Sequence, residues 1–281
     1  TPIKSSAASD VYKRQVMGVM GAAIATVLAQ AIVTAMFYYF AQKDTVVFPY
    51  VNLYSRPDFS RLKAMMKIGL PTSIQNMIFT GISMILARFV SGYGDAAIAV
   101  QKVGSQIESI SYTTAEGFAT AVNAFIAQNF GARRLDRIRR GYWTAVGMIV
   151  AWSCLTTVML VVFPAPLVRV FIQEEEVVRT GVSYLRIMGY SQILMCLEIT
   201  SSGAFQGLGR PMPPTLAGVI GNAARIPMAI LLSATVLGLD GVWWSISISS
   251  IAKGLVVFAW FVVVLRRCTR DGDLGTPQFV R

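Results

Sequence analysis

Seven times along this chain, a stretch of twenty or more residues runs almost without charge. Crossing a hydrocarbon core of roughly 30 Å takes about 20 mostly apolar residues in a helix. The runs fall at 16–40, 68–90, 96–129, 142–170, 177–205, 215–236 and 242–265. Breakers separate them: Arg56-Pro57-Asp58, Ser91-Gly92-Tyr93-Gly94-Asp95, Gly131-Ala132-Arg133, Gln173-Glu174, Gly209-Arg210-Pro211 and Gly238-Leu239-Asp240-Gly241. Strand-like alternation is sustained nowhere, which argues against a β-barrel. Charged residues make up 14% of the chain, against about 25% in soluble domains. The expected fold is all-α, a polytopic membrane bundle of about seven transmembrane helices. Residues 58–67 alternate apolar and basic side chains, as an interfacial helix lying on the membrane would.

The formal net charge is +11, and the positions of the basic residues account for it. Lys43, Arg56, Arg61, Lys63 and Lys67 follow the first run, and Arg133, Arg134, Arg137, Arg139 and Arg140 follow the third. Arg210 follows the fifth, and Arg266, Arg267, Arg270 and Arg281 follow the last. The intervening connections are nearly free of Lys and Arg, and one carries Glu174, Glu175 and Glu176. This alternation satisfies the positive-inside rule and predicts a cytoplasmic C-terminus and a cytoplasmic 133–140 loop. It leaves nothing for a nucleic-acid partner to explain. Lys13 and Arg14 break the pattern, and residues 1–15 lack the apolar core of a signal peptide. That stretch reads as a non-native leader, and the chain as a fragment.

Histidine is absent, and Cys154, Cys196 and Cys268 lie far apart. No His-based triad, metal-ligand spacing or disulfide framework is available, so no metal is expected and the chain is not read as an enzyme. The informative residues are charges at membrane depth, each of which asks for a partner or a watery cavity. Arg88, Lys102 and Arg179 lie near run ends and can snorkel. In the third run, Gln101, Ser105, Glu108, Tyr112, Glu116, Thr120 and Asn123 recur at steps of three or four, one face of a helix. Val103, Ile107, Ile110 and Phe118 are expected opposite. The stripe either lines a solvated pathway or is buried at a bundle centre by interhelical hydrogen bonds.

At 1.5 Å per residue, Glu108, Glu198, Arg225 and Lys253 all lie roughly 13–20 Å from a helix end, in the middle third of the bilayer. Ion pairs such as Glu198–Arg225 are expected, either as a neutralised structural network or as a carboxylate that exchanges its partner for a proton or Na⁺. Gly69-Leu70-Pro71, Pro227 and Gly203-x-x-x-Gly207 mark places where helices bend or approach closely.

Several stretches resemble the multidrug and toxic compound extrusion (MATE) family of antiporters. The best is 119–137, ATAVNAFIAQNFGARRLDR, in which Gln128-Asn129-x-Gly131-Ala132 leads into the basic loop. IGLPTSIQN at 68–76 looks like the first helix of the family's second lobe. GAFQGLGRPMPP at 203–214 and NAARIPM at 222–228 look like the fourth and fifth helices of that lobe. GAAIATVLAQ at 21–30 looks like the last helix of the first lobe. The resemblance covers nearly all of 16–267. It implies a last N-lobe helix at 16–40, a cytoplasmic connection at 41–67, a six-helix C-lobe at 68–267, a cytoplasmic tail at 268–281, and a missing N-lobe.

The family's cation chemistry carries over in part. Many members have an acid in the first helix of the second lobe, where this sequence offers Gln75 and Asn76. An acid in the fourth helix of that lobe is represented by Glu198, with Glu108 and Glu116 as further coupling candidates. Gln75, Asn76, Gln101, Tyr112, Asn123, Asn222, Arg225 and Lys253 are the candidate cavity and ion-pair residues. The resemblance implies an antiporter in a bacterial inner membrane that exports small organic compounds by alternating access. It would use H⁺ or Na⁺ as coupling ion and no other cofactor. The competing reading is a flippase or exporter of a lipid-linked or saccharide precursor in the same superfamily, for which Arg225 and Lys253 would suit a phosphate.

Overall fold

The computed structural model describes residues 18–43 and 59–271, and these form two compact units divided after Phe59. The first unit contributes helix α1 (Gly18–Lys43). Its apolar side chains cover every face, as suits a span wetted by lipid. Lys43 closes its last turn, with the ammonium 4.4 Å from the Tyr39 ring centroid.

The second unit is a helical bundle: α2 (Phe59–Ser91), α3 (Asp95–Gly131), α4 (Leu135–Val162), the short α5 (Pro164–Arg169), α6 (Glu175–Gly189), α7 (Gln192–Gly207), α8 (Met212–Ala223), α9 (Arg225–Ser233) and α10 (Leu239–Asp271). No strand occurs among the described residues. Five segments among them are long and apolar enough to cross a membrane: Ala23–Lys43, Ser73–Ser91, Leu135–Val162, Met212–Ser233 and Leu239–Cys268. The third and fifth expected spans are the exceptions. One is a long helix made too polar by its stripe, and the other is divided into two helices.

Turn chemistry accounts for the helix ends. Between α2 and α3, Gly94 takes φ +99°, a conformation that L side chains rarely adopt. After α3, the amides of Ala132 and Arg134 donate to the carbonyls of Gln128 and Asn129, and Arg133 adopts φ 53°. Pro164 opens α5, where its missing N–H costs nothing. Glu175 and Glu176 occupy the first turn of α6, where negative charge suits the helix dipole, and Glu175 accepts from Arg169 at 2.9 Å.

The structure departs from the expected spans in four places. The helix expected at 58–67 is continuous with the next span, since α2 runs through Gly69 and Pro71 without ending. The fourth run divides at Phe163, where Pro164 starts a new helix. The fifth divides at Tyr190–Ser191, and the Ser191 hydroxyl donates to the Met188 carbonyl at 2.9 Å. The sixth divides at Ala224. Pro227 lacks the N–H that would bond the Ala223 carbonyl, so the ladder opens three residues before the ring. The leader 1–15, most of the 41–67 connection and the tail beyond 271 lie outside the described residues.

Three apolar clusters hold the bundle. The largest joins α3, α4, α7 and α10 through Ile126, Ile138, Tyr142, Ile149, Phe205 and Phe261. In it, Tyr142 and Phe205 lie with their ring centroids 4.4 and 5.0 Å from that of Phe261. The buried Tyr142 hydroxyl shares a 2.9 Å hydrogen bond with Ser201. A second cluster gathers Val100, Leu160, Val168, Leu185 and Trp243, with Tyr184 edge-on to Trp243 at 5.1 Å. The third joins Ile82, Leu86 and Val90 of α2 to Ala97, Ala229 and Val242. Helices α3 and α7 make the most extensive contact in the bundle. A Cβ at Gly203 would strike the Ala119 backbone, and one at Gly207 the Asn123 carbonyl. The Gly203-x-x-x-Gly207 spacing therefore does what it can do between membrane helices, letting two backbones touch.

Candidate functional site

Between these helices lies a cavity of about 800 Å³. Its longest wall is the polar stripe of α3: Ser105, Glu108, Tyr112, Glu116, Thr120 and Asn123 all line it. Gln101, the seventh residue of the stripe, does not. The protein-facing seam of α3 carries small residues along its middle, Gly104, Ser111 and Ala115, between the larger Val100 and Ile126, and Tyr184 occupies the space above Gly104. Of the residues expected opposite the stripe, Ile107 and Phe118 pack on the apolar clusters, but Ile110 is exposed. A stripe with small neighbours on one side lets α3 meet α7 closely while its polar face stays open.

The opposite wall carries the charges expected at mid-depth. Glu198 of α7 pairs with Lys253 of α10, Nζ to Oε1 at 3.2 Å, both side chains nearly buried. This corrects the Glu198–Arg225 pairing expected from sequence. Arg225 is near enough to feel the Glu198 charge, but its guanidinium donates to the hydroxyls of Ser249 (2.7 Å) and Ser250 (3.0 Å). The Phe79 ring lies 5.8 Å from its Cζ. Two glycines on α8 clear the way for these long side chains. The Gln75 amide occupies the space beside Gly218, and the Lys253 stem that beside Gly221.

Glu108 and Glu116 stand apart from this pair. The Tyr184 phenol lies close to Glu108, and that of Tyr112 close to Glu116. Oε1 of Glu108 is buried without a hydrogen-bond partner, and so is Oδ1 of Asn222. Unsatisfied acceptors facing a cavity are costly unless water, an ion or a ligand reaches them. Among the described residues no group of three or more Cys, Asp or Glu side chains could hold a metal ion.

All but one of the sequence-derived candidates thus meet in one cavity: Glu198, Glu108, Glu116, Gln75, Asn76, Tyr112, Asn123, Asn222, Arg225 and Lys253 line it. Sequence reading missed Ser249, Ser250, Tyr184 and Phe79. The serines carried a signal, because Ser250 and Lys253 are three apart and share a helix face. Tyr184 lies on another helix and carried none. Cysteine substitution along α3 reads the stripe directly. Water-soluble thiol reagents are expected to label positions 105, 112 and 116 and to spare positions 104, 111 and 115. Equal labelling of the two sets would show that the stripe does not face a wet cavity.

A multi-pass helical membrane protein with a polar, charge-lined cavity is the class that this fold and site define. The MatE family model matches residues 71–231, more than half of the chain, and the chain belongs to that family. It is 26% identical over 238 residues to a Thermotoga maritima protein named Probable multidrug resistance protein NorM, covering 81% of this chain and 49% of that one. It is 25% identical over 252 residues to the Staphylococcus aureus Multidrug export protein MepA, covering 86% and 54%. A solved structure described as the outward-facing conformation of a multidrug resistance MATE family transporter of the MOP superfamily superimposes with a TM-score of 0.80. It is 22% identical, with 92% of this chain and 58% of that one covered. The chain spans about half the length of the relatives it matches.

Proposed function

We propose that this chain is one lobe of a cation-coupled antiporter that exports small organic compounds from bacterial cells by alternating access. The observation that supports this most is the Glu198–Lys253 pair at the wall of the α3-lined cavity. A carboxylate neutralised by an ammonium is stable at membrane depth, yet a proton or Na⁺ can take the place of the ammonium. Either exchange frees Lys253 and changes the charge that the cavity presents. Both dividing points of the bundle that border the cavity, Ser191 and the Asn222–Arg225 junction, are built to bend. The names of the relatives, multidrug resistance and multidrug export, favour organic compounds as cargo.

In this reading H⁺ or Na⁺ is the coupling ion, and the other partners are the bilayer, the substrate and an N-terminal lobe of the same protein. The membrane is the inner membrane, with the basic connections and the C-terminus on the cytoplasmic side. A rocking mechanism needs two lobes around one cavity. Reconstituted alone, the 281-residue chain is therefore expected to give no ion-driven efflux of an organic dye, while a transporter completed by an N-terminal lobe gives it. Gradient-driven efflux by the chain alone would contradict the two-lobe reading. No efflux from the completed transporter under either ion gradient would contradict the antiporter reading.

A further inference from the structure

Far from the cavity, one apolar cluster holds the basic end of the bundle together. Ile138 of α4, Leu208 after α7 and Leu265 of α10 all belong to it, so the arginines at 133–140, 210 and 266–267 share that end. All but Arg210 are exposed, and the salt bridges among the described residues lie elsewhere, at Arg169–Glu175 and Lys253–Glu198. Helices α4 and α10 pass antiparallel here, with the Tyr142 and Phe261 ring centroids 4.4 Å apart in the seam. On one flank of that seam Trp143 stands edge-on to Phe258 at 6.3 Å, and Trp143 is 44% exposed. Steps of four from these two rings reach Arg139 and Gly147 on α4, and Val262 and Arg266 on α10. At 1.5 Å per residue, Arg139 stands about 6 Å and Arg266 about 12 Å nearer the bundle end than the ring pair. Nothing lies within 4 Å of where a Gly147 Cβ would be, so the flank is open on the other side of Trp143.

Topology requires basic residues at one end of a membrane bundle. It does not require two of them, from different helices, on the flank that carries the ring pair. We propose that this flank binds an anionic phospholipid of the leaflet that the basic end meets. The phosphate sits between Arg139 and Arg266, the glycerol ester region lies on Trp143, and one acyl chain runs past Gly147. A phosphate accepts charge-assisted hydrogen bonds from two guanidiniums at once. Tryptophan suits headgroup depth, with its ring among the chains and its N–H within reach of ester oxygens. A zwitterionic phospholipid brings its own cation to the same arginines and gains less from them. Neither cargo nor coupling ion enters this assignment.

Phospholipids with brominated acyl chains quench tryptophan on contact. The purified chain in a non-ionic detergent can be titrated with brominated phosphatidylglycerol or brominated phosphatidylcholine. Phosphatidylglycerol is expected to bind about thirtyfold tighter, about fivefold for each arginine at a membrane surface. Trp143→Phe keeps a ring for Phe258 and is expected to remove the tight component of the quenching, which locates the lipid at this flank. Arg139→Gln combined with Arg266→Gln is expected to bring the two lipids to equal affinity. Arg133, in the turn before α4, and Arg137, on another face of α4, supply the control. Arg133→Gln combined with Arg137→Gln removes the same charge from the same end and is expected to leave the preference intact. All four arginines are exposed, so every variant is expected to keep the parent's circular dichroism. Inorganic phosphate at millimolar concentration is expected not to displace the lipid, which separates a phospholipid site from a site for the free anion. Equal affinity for the two lipids, tight quenching that survives Trp143→Phe, equal effects of the two arginine pairs, or displacement by inorganic phosphate would each overturn the proposal.

Discussion

Gly203→Ala is expected to cost about 1–3 kcal/mol, the usual range for overpacking, and Gly203→Leu to abolish the folded bundle. The added Cβ of Gly203→Ala would overlap the Ala119 carbonyl, and backbone cannot swing aside as a flexible side chain does. Helices α3 and α7 would have to part along their whole contact, and the largest apolar cluster lies between them and α4 and α10. The same separation would widen the cavity, because α3 and α7 supply the acidic stripe and Glu198. Gly117 supplies the control. It lies on α3, the partner helix of that contact, and nothing is within 4 Å of where its Cβ would be. Gly117→Ala is expected to be neutral or to gain up to about 1 kcal/mol from helix propensity. Thermal unfolding in detergent, followed by circular dichroism, separates the two. Equal losses at Gly203 and Gly117 would show that close helix approach is not what the glycine provides.

The second large effect falls on Glu198. Removing one partner of a fully buried ion pair costs about 3–5 kcal/mol, because the survivor is left charged and unpaired. Here both side chains open on the cavity, with 10% and 13% of their surface exposed, so water reaches the stranded ammonium of Glu198→Gln and the loss is expected to fall below that range. Glutamine also keeps an oxygen that can accept from Lys253. The variant should therefore fold in good yield, and its defect should appear in transport. In the cycle proposed above, glutamine would neither take up a proton nor offer a charge to Na⁺, and Lys253 would no longer be released and recaptured.

Much of this site could be read from sequence, and the limits of that reading are physical. The stripe on α3 was legible because seven polar residues at steps of three or four belong to one helix, whose geometry is known in advance. Gly203 and Gly207 were legible for the same reason. The pairing of Glu198 was not. Arg225 and Lys253 lie at similar depth, and the choice between them depends on how α9 and α10 rotate against α7, which no single-helix periodicity contains. The rotation is set partly by Ser249 and Ser250, which hold Arg225, and partly by Gly221, whose missing side chain admits the Lys253 stem. The division at Tyr190–Ser191 escaped notice because neither residue is a strong helix breaker. Gly189 packs on Leu160 and Val161 there, and the Ser191 hydroxyl takes up the Met188 carbonyl.

That one carboxylate carries the coupling is the central claim, and efflux from proteoliposomes under an imposed H⁺ or Na⁺ gradient, compared with exchange when no gradient is present, tests it most directly. In a transporter completed by an N-terminal lobe, Glu198→Gln is expected to keep substrate exchange and folded yield while its efflux ceases to respond to either gradient. Efflux by Glu198→Gln that still follows the gradient, from protein recovered in reduced yield, would contradict the claim and leave the Glu198–Lys253 pair as a brace between two helices.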